Sequence, residues 1–523
     1  MQRWPTFDDR RRRSGDFAWS MLAAALALAD VPLRLSRLLT VPRVGDEWGE
    51  ILLGYRIFRG EVLPLHNRAH DIGPLFNYLL ALLFHIFGVS LSLPRLTVMV
   101  ISIVTVFLTY LLGRALFGRT VGLLASALLA TDNVDILVTH MAWSNDITPF
   151  LVVGASLLTV EARTKGGAFY PLAGFGWAMA LQSHSSVLAF LPGILFLVWR
   201  SAPRPRLRQL WVWAGHGAFL LGYLNMIVWN IIHPLDSLKW ILTRKHYAVA
   251  SAMTPAAYLH HALLFWEEIA RSLATASMTG TLFLHHAPPP IVLAVLALFV
   301  AGMIVAYRRG DLLLPILFLG PALLFPALDK SYAFIVDGRY IDPLLPLGLI
   351  AVALGFVEGA GALVRSIRAS RSRAVATGAV GALALALVLS PVPSLGAYYA
   401  REARLGVTNA PYLALARELR GGDGGRLILL DSTCAFARVL PDVLAVEGLS
   451  VQEVGDPWTH SGRGSFALSL WRRALRRHPR ALVVASPQDF RRLAALMRTF
   501  ARRRTWSNGD YVVARRSISS GGV

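Results

Sequence analysis

The sequence predicts a mainly α, polytopic bundle of membrane helices with external amphipathic helices and a small C-terminal α/β domain. Three observations predict it. The 523 residues are 55% hydrophobic and only 16% charged, and a mean hydropathy of +0.52 means more apolar surface than a water-soluble globule buries. Apolar segments of spanning length, about 17 to 25 residues, recur about eleven times. The 52 Lys and Arg behind a formal charge of +21 fall in short clusters between those segments. That pattern reports topology and excludes the single basic stripe of a nucleic-acid binder.

The apolar segments lie near residues 17–35, 96–113, 120–138, 146–160, 169–182, 186–199, 210–230, 290–307, 311–328, 340–364 and 374–397. Threading them alternately from a cytoplasmic N-terminus "RWPTFDDRRRR" places "GRALFGRT", "EARTKGG", "WRSAPRPRLRQ", "YRRGD" and "RSIRASRSR" on the same side, as the positive-inside rule requires. The opposite loops "TDNVDILVTHMAWSND" and "QSHSS" contain no Lys or Arg. Residues 41–94, residues 231–288 and the tail then fall on the external face of a cytoplasmic (inner) membrane. The first apolar segment opens a series of spans and lacks an A-x-A site, so no cleaved signal peptide is expected. The single cysteine, Cys434, excludes an internal disulfide and a thiolate metal cage.

The chain divides into a membrane part, residues 1–399, and an external soluble part, residues 400–523. After Gly-rich "RGGDGG", the runs "RLILLDS", "ALVVAS" and "DYVVARR" read as strands. They alternate with "SLWRRALRRH" and "DFRRLAALMRTFARRR", which read as helices. That alternation describes a small α/β domain.

Candidate chemistry begins in "PRVGDEWGEILLGYRIFRGE". Apolar residues at Trp48, Ile51, Leu52, Tyr55 and Phe58 follow helical spacing, which after a span describes a helix lying in the membrane interface. Asp46 fits the N-cap, with Glu47 and Glu50 complementing the helix dipole. A capping carboxylate held at the membrane surface remains able to face a cavity. Glu50, one turn on, reads as part of a solvated face. A second external acid, Asp146, opens a later span in "HMAWSNDITPFLV", where capping by Ser144, Asn145 or Asp146 is the alternative. Cationic residues share the predicted external face: His66, Arg68 and His70, then Arg95, His184, Lys330 and Arg339. Taken singly, each also fits an interfacial helix end. Glu47 and His70 are the candidate ligands for a divalent cation, without a tight pattern such as H-E-x-x-H.

These stretches, taken in order, resemble the GT-C type membrane glycosyltransferases that use polyprenyl-phosphate sugars, the group of protein O-mannosyltransferases and lipid A aminoarabinose transferases. "LRLSRLLTVPRVGDEW" is similar to the family's first helix and Asp-Glu pair. "GPLFNYLLALLFHIFGVSLSLPRL", "TYLLGRALFGRTVGLLASALLA", "HMAWSNDITPFLV" and "RYIDPLLPLGLI" follow in the family's order. Gly73 stands where the family has Pro, a change expected to matter little, and Ser144 stands where a base is common. The resemblance implies inverting sugar transfer from a polyprenyl-phosphate donor to a hydroxyl of a glycan, lipid or protein. Asp46 would be the general base, Glu47 would orient the acceptor or a metal, and Asp146 would bind sugar or acceptor. Arg95, Arg339, Tyr340, Lys330, His66, Arg68 and His184 would bind substrate, the cations stabilising the leaving phosphate. A transporter or lipid flippase also has many spans with a few polar groups, but tends to place those groups near the midplane and to show repeated halves. A non-catalytic scaffold is the third reading.

Overall fold

The computed structural model describes residues 10–40, 45–201, 209–243, 254–275, 287–328 and 341–405, together with the strands of the tail. The chain forms two compact units. One comprises Met1–Leu38, Pro64–Phe76 and Leu96–Arg401; the other comprises Leu39–Leu63, Asn77–Arg95 and Glu402–Val523.

The helices in chain order are α1 (Arg10–Ala29), α2 (Val31–Leu35), α3 (Gly45–Phe58), α4 (Leu75–Phe87), α5 (Leu93–Phe117), α6 (Arg119–Ala130) and α7 (Asn133–Val138). Then come α8 (Thr148–Lys165), α9 (Phe169–Ser183), α10 (Leu191–Ser201), α11 (Leu210–Gly222), α12 (Leu224–Ile232), α13 (Asp236–Thr243) and α14 (Pro255–Leu273). The described helices end with α15 (Pro289–Arg308), α16 (Leu313–Leu328), α17 (Leu345–Ser366), α18 (Ser370–Leu389) and α19 (Val392–Leu405). Short 3-10 turns at Ser144–Ile147, Ser185–Ala189 and Asp342–Leu344 lead into α8, α10 and α17. Proline sits in the first turn of α8, α14, α15 and α17, where its missing N–H costs no helical bond.

The chain is a multi-pass membrane protein, and part of the expected set of about eleven spans is present among the described residues. Among the described residues, six helical segments are long and apolar enough to cross a bilayer, or seven if α11 and α12, bent by 60°, form one span. The expected span 120–138 breaks because the Asp132 carboxylate caps a new helix, accepting from Val134 N at 2.8 Å and Asp135 N at 3.1 Å. The segment 186–199 is divided by a 3-10 turn, and α16 is a 16-residue helix with Pro321 and Pro326 inside it. One of the two best-buried candidate spans, α17, packs against α15. A Cβ at Gly302 would overlap the Ala351 carbonyl and one at Gly355 the Leu298 carbonyl, so two glycines admit the close approach. At the other extreme, α18 has no buried residue.

In the tail, β1 (Leu427–Leu430), β2 (Val451–Glu453), β3 (Leu482–Ala485), β4 (Phe500–Thr505) and β5 (Val512–Arg516) form a mixed sheet of order β2-β1-β3-β5-β4. β1 runs parallel to β2 and β3; β5 runs antiparallel to β3 and β4. The three expected strand runs are strands. The helix expected over "DFRRLAALMRTFARRR" is corrected at its end, because Phe500–Thr505 pairs with β5 across an irregularity between Arg502 and Arg504. Ladder pairing there overrides a favourable local helix propensity.

Candidate functional site

The Asp-Glu pair opens α3. Glu47, Glu50, Ile51, Gly54 and Ile57 form its buried stripe, so the carboxylates begin the packed face. Arg95, in the first turn of α5, donates from Nε to Glu47 Oε1 at 2.7 Å and from Nη2 to Glu47 Oε2 at 2.9 Å. Both side chains are 0% exposed. This two-point geometry aligns a planar fork with a planar carboxylate. Arg95, expected to meet a donor phosphate, is thus committed to a closed ion pair. The solvated reading of Glu50 is corrected as well: it is buried, and Asn77 Nδ2 donates to its Oε2 at 2.5 Å and to its carbonyl at 3.0 Å. Together these contacts fix the first turn of α3, the backbone that carries Asp46. The Asp46 side chain lies outside the described residues, as do Lys330, Arg339 and Tyr340.

In the other unit, Asp146 is buried in the turn before α8. Its Oδ1 accepts from the Trp143 indole N–H and its Oδ2 from the Trp143 backbone N–H at 3.3 Å. The carboxylate therefore closes its own turn from the third position, with Trp143 as the N-cap residue. Beside this turn runs the segment 64–74. Asn67 Nδ2 reaches Ser144 Oγ at 3.4 Å, Ser185 Oγ donates to Asp71 Oδ2 at 2.6 Å, and Asn225 Nδ2 donates to the Leu65 carbonyl at 2.7 Å. Gly73 N donates to the Gln182 carbonyl at 2.9 Å, and a Cβ on Gly73 would overlap the Gln182 amide. Gly73 thus meets Gln182 both through its N–H and by the absence of a Cβ. His184 is buried in the same wall. The backbone N–H of Ser186 donates to His184 Nδ1 at 3.2 Å, which makes that nitrogen the acceptor of the ring.

The structure brings His66 and His70 together, their ring centroids 4.7 Å apart, and adds residues that the motif search passed over. Trp229 lies 4.1 Å from His66 and 3.7 Å from His233, and Trp240 stacks on His70 at 4.5 Å. His70 Nδ1 donates to Asp236 Oδ2 at 2.7 Å, and Trp229 Nε1 donates to the same oxygen at 3.0 Å. The sequence signal was the aromatic and cationic content of the segment beginning at His233, without a spacing that named the partners. Burial lowers the His66 pKa, against the opposing pull of its bond to the Asn67 carbonyl. At Asp236 residual burial pulls upward, but the bonds from Trp229 and His70 outweigh it and hold the carboxyl below its ordinary range. Arg68 is exposed.

Glu47 and His70, the candidate metal ligands, each meet another partner. Both Glu47 oxygens face Arg95, His70 faces Asp236, and among the described residues no group of three or more His, Cys, Asp or Glu is arranged to hold an ion.

The described residues form a polytopic helical bundle with an Asp-Glu pair opening the helix after its first apolar segment and a second acid at a later helix start. Residues 71–229 match the family model described as dolichyl-phosphate-mannose-protein mannosyltransferase. By structure the chain is similar to ArnT from Cupriavidus metallidurans in the apo state, at 15% identity and TM-score 0.62 over 97% of this chain and 100% of that one. The same ArnT bound to undecaprenyl phosphate matches at 14% identity and TM-score 0.61, over 97% and 99%. The oligosaccharyltransferase of Archaeoglobus fulgidus, tethered to an acceptor peptide containing the NVT sequon, matches at 12% identity and TM-score 0.51, over 90% and 69%. At such identities the likeness is one of fold. Sequence comparison with curated proteins gives no match.

Proposed function

We propose that this protein moves a sugar from a polyprenyl-phosphate donor to a hydroxyl acceptor on the external face of the membrane, by a single inverting displacement. The observation that carries the reading is the division of labour within the Asp-Glu pair. Glu47 is fully buried with both oxygens on Arg95, so it serves to fix the turn, and Asp46 remains as the acid to take the acceptor proton. The acceptor oxygen attacks the anomeric carbon as it passes that proton to Asp46, and the bond to the lipid phosphate breaks. Phosphate leaves as a stable anion, so no general acid is needed and cationic groups suffice. Arg68, His66, Lys330 and Arg339 are the candidates for that work, with Tyr340 and His184 in the substrate wall. Asp146, held by Trp143, presents a rigid edge toward sugar or acceptor. Two relatives in fold, bound to undecaprenyl phosphate or tethered to an acceptor peptide, support a lipid-phosphate donor and a peptide among the acceptors to try first.

The test is to incubate the purified protein with a panel of polyprenyl-phosphate sugars and follow consumption by mass spectrometry. Asp46→Asn should lower turnover by roughly 100- to 10,000-fold, the range for loss of a general base, with unchanged membrane insertion. Full activity in Asp46→Asn would remove the assignment of the base, and donor translocated without consumption would favour a transporter.

A further inference from the structure

Arg34, on α2, is buried among more acid than it can neutralise. Its guanidinium donates to Asp30, to Ser102 of α5, to Thr139 at 3.0 Å and to the Leu129 carbonyl at 3.4 Å, and forms an ion pair with Asp135 at 2.6 Å. Asp132 and Asp135 belong to the start of α7. Asp342, in the turn before α17, is 0% exposed, and among the described residues neither of its carboxyl oxygens has a hydrogen-bond partner. It feels Asp135 and Asp132 across the contact between that turn and α7, with Arg34 as the opposing charge. His140 and Tyr399 complete the polar surroundings, with Tyr399 OH 3.3 Å from His140 Nε2.

The segment around α7 is a junction. Thr131 Oγ1 donates to the Val388 carbonyl at 2.5 Å, Asn133 Nδ2 to the Pro391 carbonyl at 3.0 Å, and His140 Nε2 to the Ser36 carbonyl at 2.9 Å. A few residues further on, the same segment becomes the turn that carries Asp146. Four carboxyls, Asp30, Asp132, Asp135 and Asp342, are buried here, and among the described residues Arg34 is the buried guanidinium that meets them, pairing with Asp30 and Asp135. They cannot all be ionised, because an unpaired buried carboxylate costs far more than holding its proton.

We propose that Asp342 is a positioning residue: its carboxyl holds a proton, and this neutral form lets the turn before α17 pack on α7 and keeps the Asp146 turn in register. Ionisation of the cluster then loosens α7 and sets an alkaline limit to the transfer reaction, a consequence that rests on the glycosyltransferase reading above. Supporting this, burial pushes the Asp132 carboxyl up to about 8, with Asp135 adding to the rise and two backbone N–H groups opposing it. Burial raises Asp135 too, against the pull of Arg34. The sign follows from linkage. For Asp132, between about pH 4 and about pH 8 the folded state keeps a proton that the unfolded chain releases, so stability falls as pH rises through that window, and any other carboxyl of the cluster held protonated adds to the fall in the same direction.

The test is the Asp342→Asn variant of the full-length protein in detergent, because Asn has the shape of the neutral carboxyl and cannot ionise. Wild type should lose Tm as pH rises from about pH 4 to about pH 8, the variant should lose less over the same range, and the variant should melt higher than wild type at its upper end. With a donor identified, the alkaline fall in kcat should move upward in the variant while the value at neutral pH stays. A pH slope equal to that of wild type would overturn the proposal. So would an Asp342→Asn protein that fails to fold while Asp342→Glu folds, since the charge would then be what the fold needs. Absence of turnover by either protein would count against the proposed function, and the melting slopes would still decide the role of Asp342.

Discussion

Burying the Glu47 carboxylate and the Arg95 guanidinium removes two ions from water, at a cost of several kcal/mol each, and only good alignment offsets that. The two parallel contacts at 2.7 and 2.9 Å provide it. Such a pair is a modest source of stability and a strong constraint on position, because deleting one member leaves the other charge buried alone. Arg95→Ala should therefore lower stability by about 3–5 kcal/mol, while Glu47→Ala combined with Arg95→Ala should be more stable than Arg95→Ala by itself. Thermal melts of the purified variants measure both, and strictly additive losses would mean that the pair is not coupled. Arg95→Lys should recover little, since an ammonium cannot bridge both oxygens. The sequence made the acids of this turn visible and misjudged their surroundings. Helical spacing located α3, but the partners that draw Glu47 and Glu50 inward, Arg95 and Asn77, lie 48 and 27 residues further on. No local pattern in "GDEWGE" encodes them.

At the scale of elements, the spans were legible where apolar length alone defines them, as in α15 and α17, and illegible where a single polar residue restarts a helix, as Asp132 does between α6 and α7. The partner of each span was hidden too, since it depends on which glycines meet a neighbour. Within α17 the Gly355 position presses on the Leu298 carbonyl, while a Cβ on Gly359 would meet nothing within 4 Å. Two identical substitutions one turn apart should thus behave oppositely. Gly355→Ala forces α15 away and should destabilise by about 1–3 kcal/mol. Gly359→Ala improves helix propensity in open space and should be neutral or stabilising by up to about 1 kcal/mol. Equal shifts in Tm for the two variants would show that α15 and α17 do not approach as closely as the glycines imply.

For the molecule as a whole, the charge pattern makes a claim that fold likeness leaves open, which is the direction of threading. Short Arg-rich loops such as "RSIRASRSR" should face the cytoplasm, and the segment holding His66, Arg68 and His70 should face outward, because short loops rich in Lys and Arg resist translocation and the two short opposite loops, "TDNVDILVTHMAWSND" and "QSHSS", have none. The proposed chemistry depends on this. A polyprenyl chain stays in the bilayer with its phosphate at headgroup depth, so the α3 turn must meet that phosphate on the side where the acceptor waits. The single native cysteine makes the test clean. In a Cys434→Ser background, Arg68→Cys and Arg368→Cys each introduce one thiol at an exposed position. A membrane-impermeant maleimide added to intact spheroplasts should label Arg68→Cys and spare Arg368→Cys until the membrane is permeabilised. Labelling in the reverse order would turn the whole bundle over and place Asp46 on the cytoplasmic face. A lipid-phosphate sugar would then have to be consumed on the side where its lipid carrier is usually charged, and the external-transfer reading would fall with it.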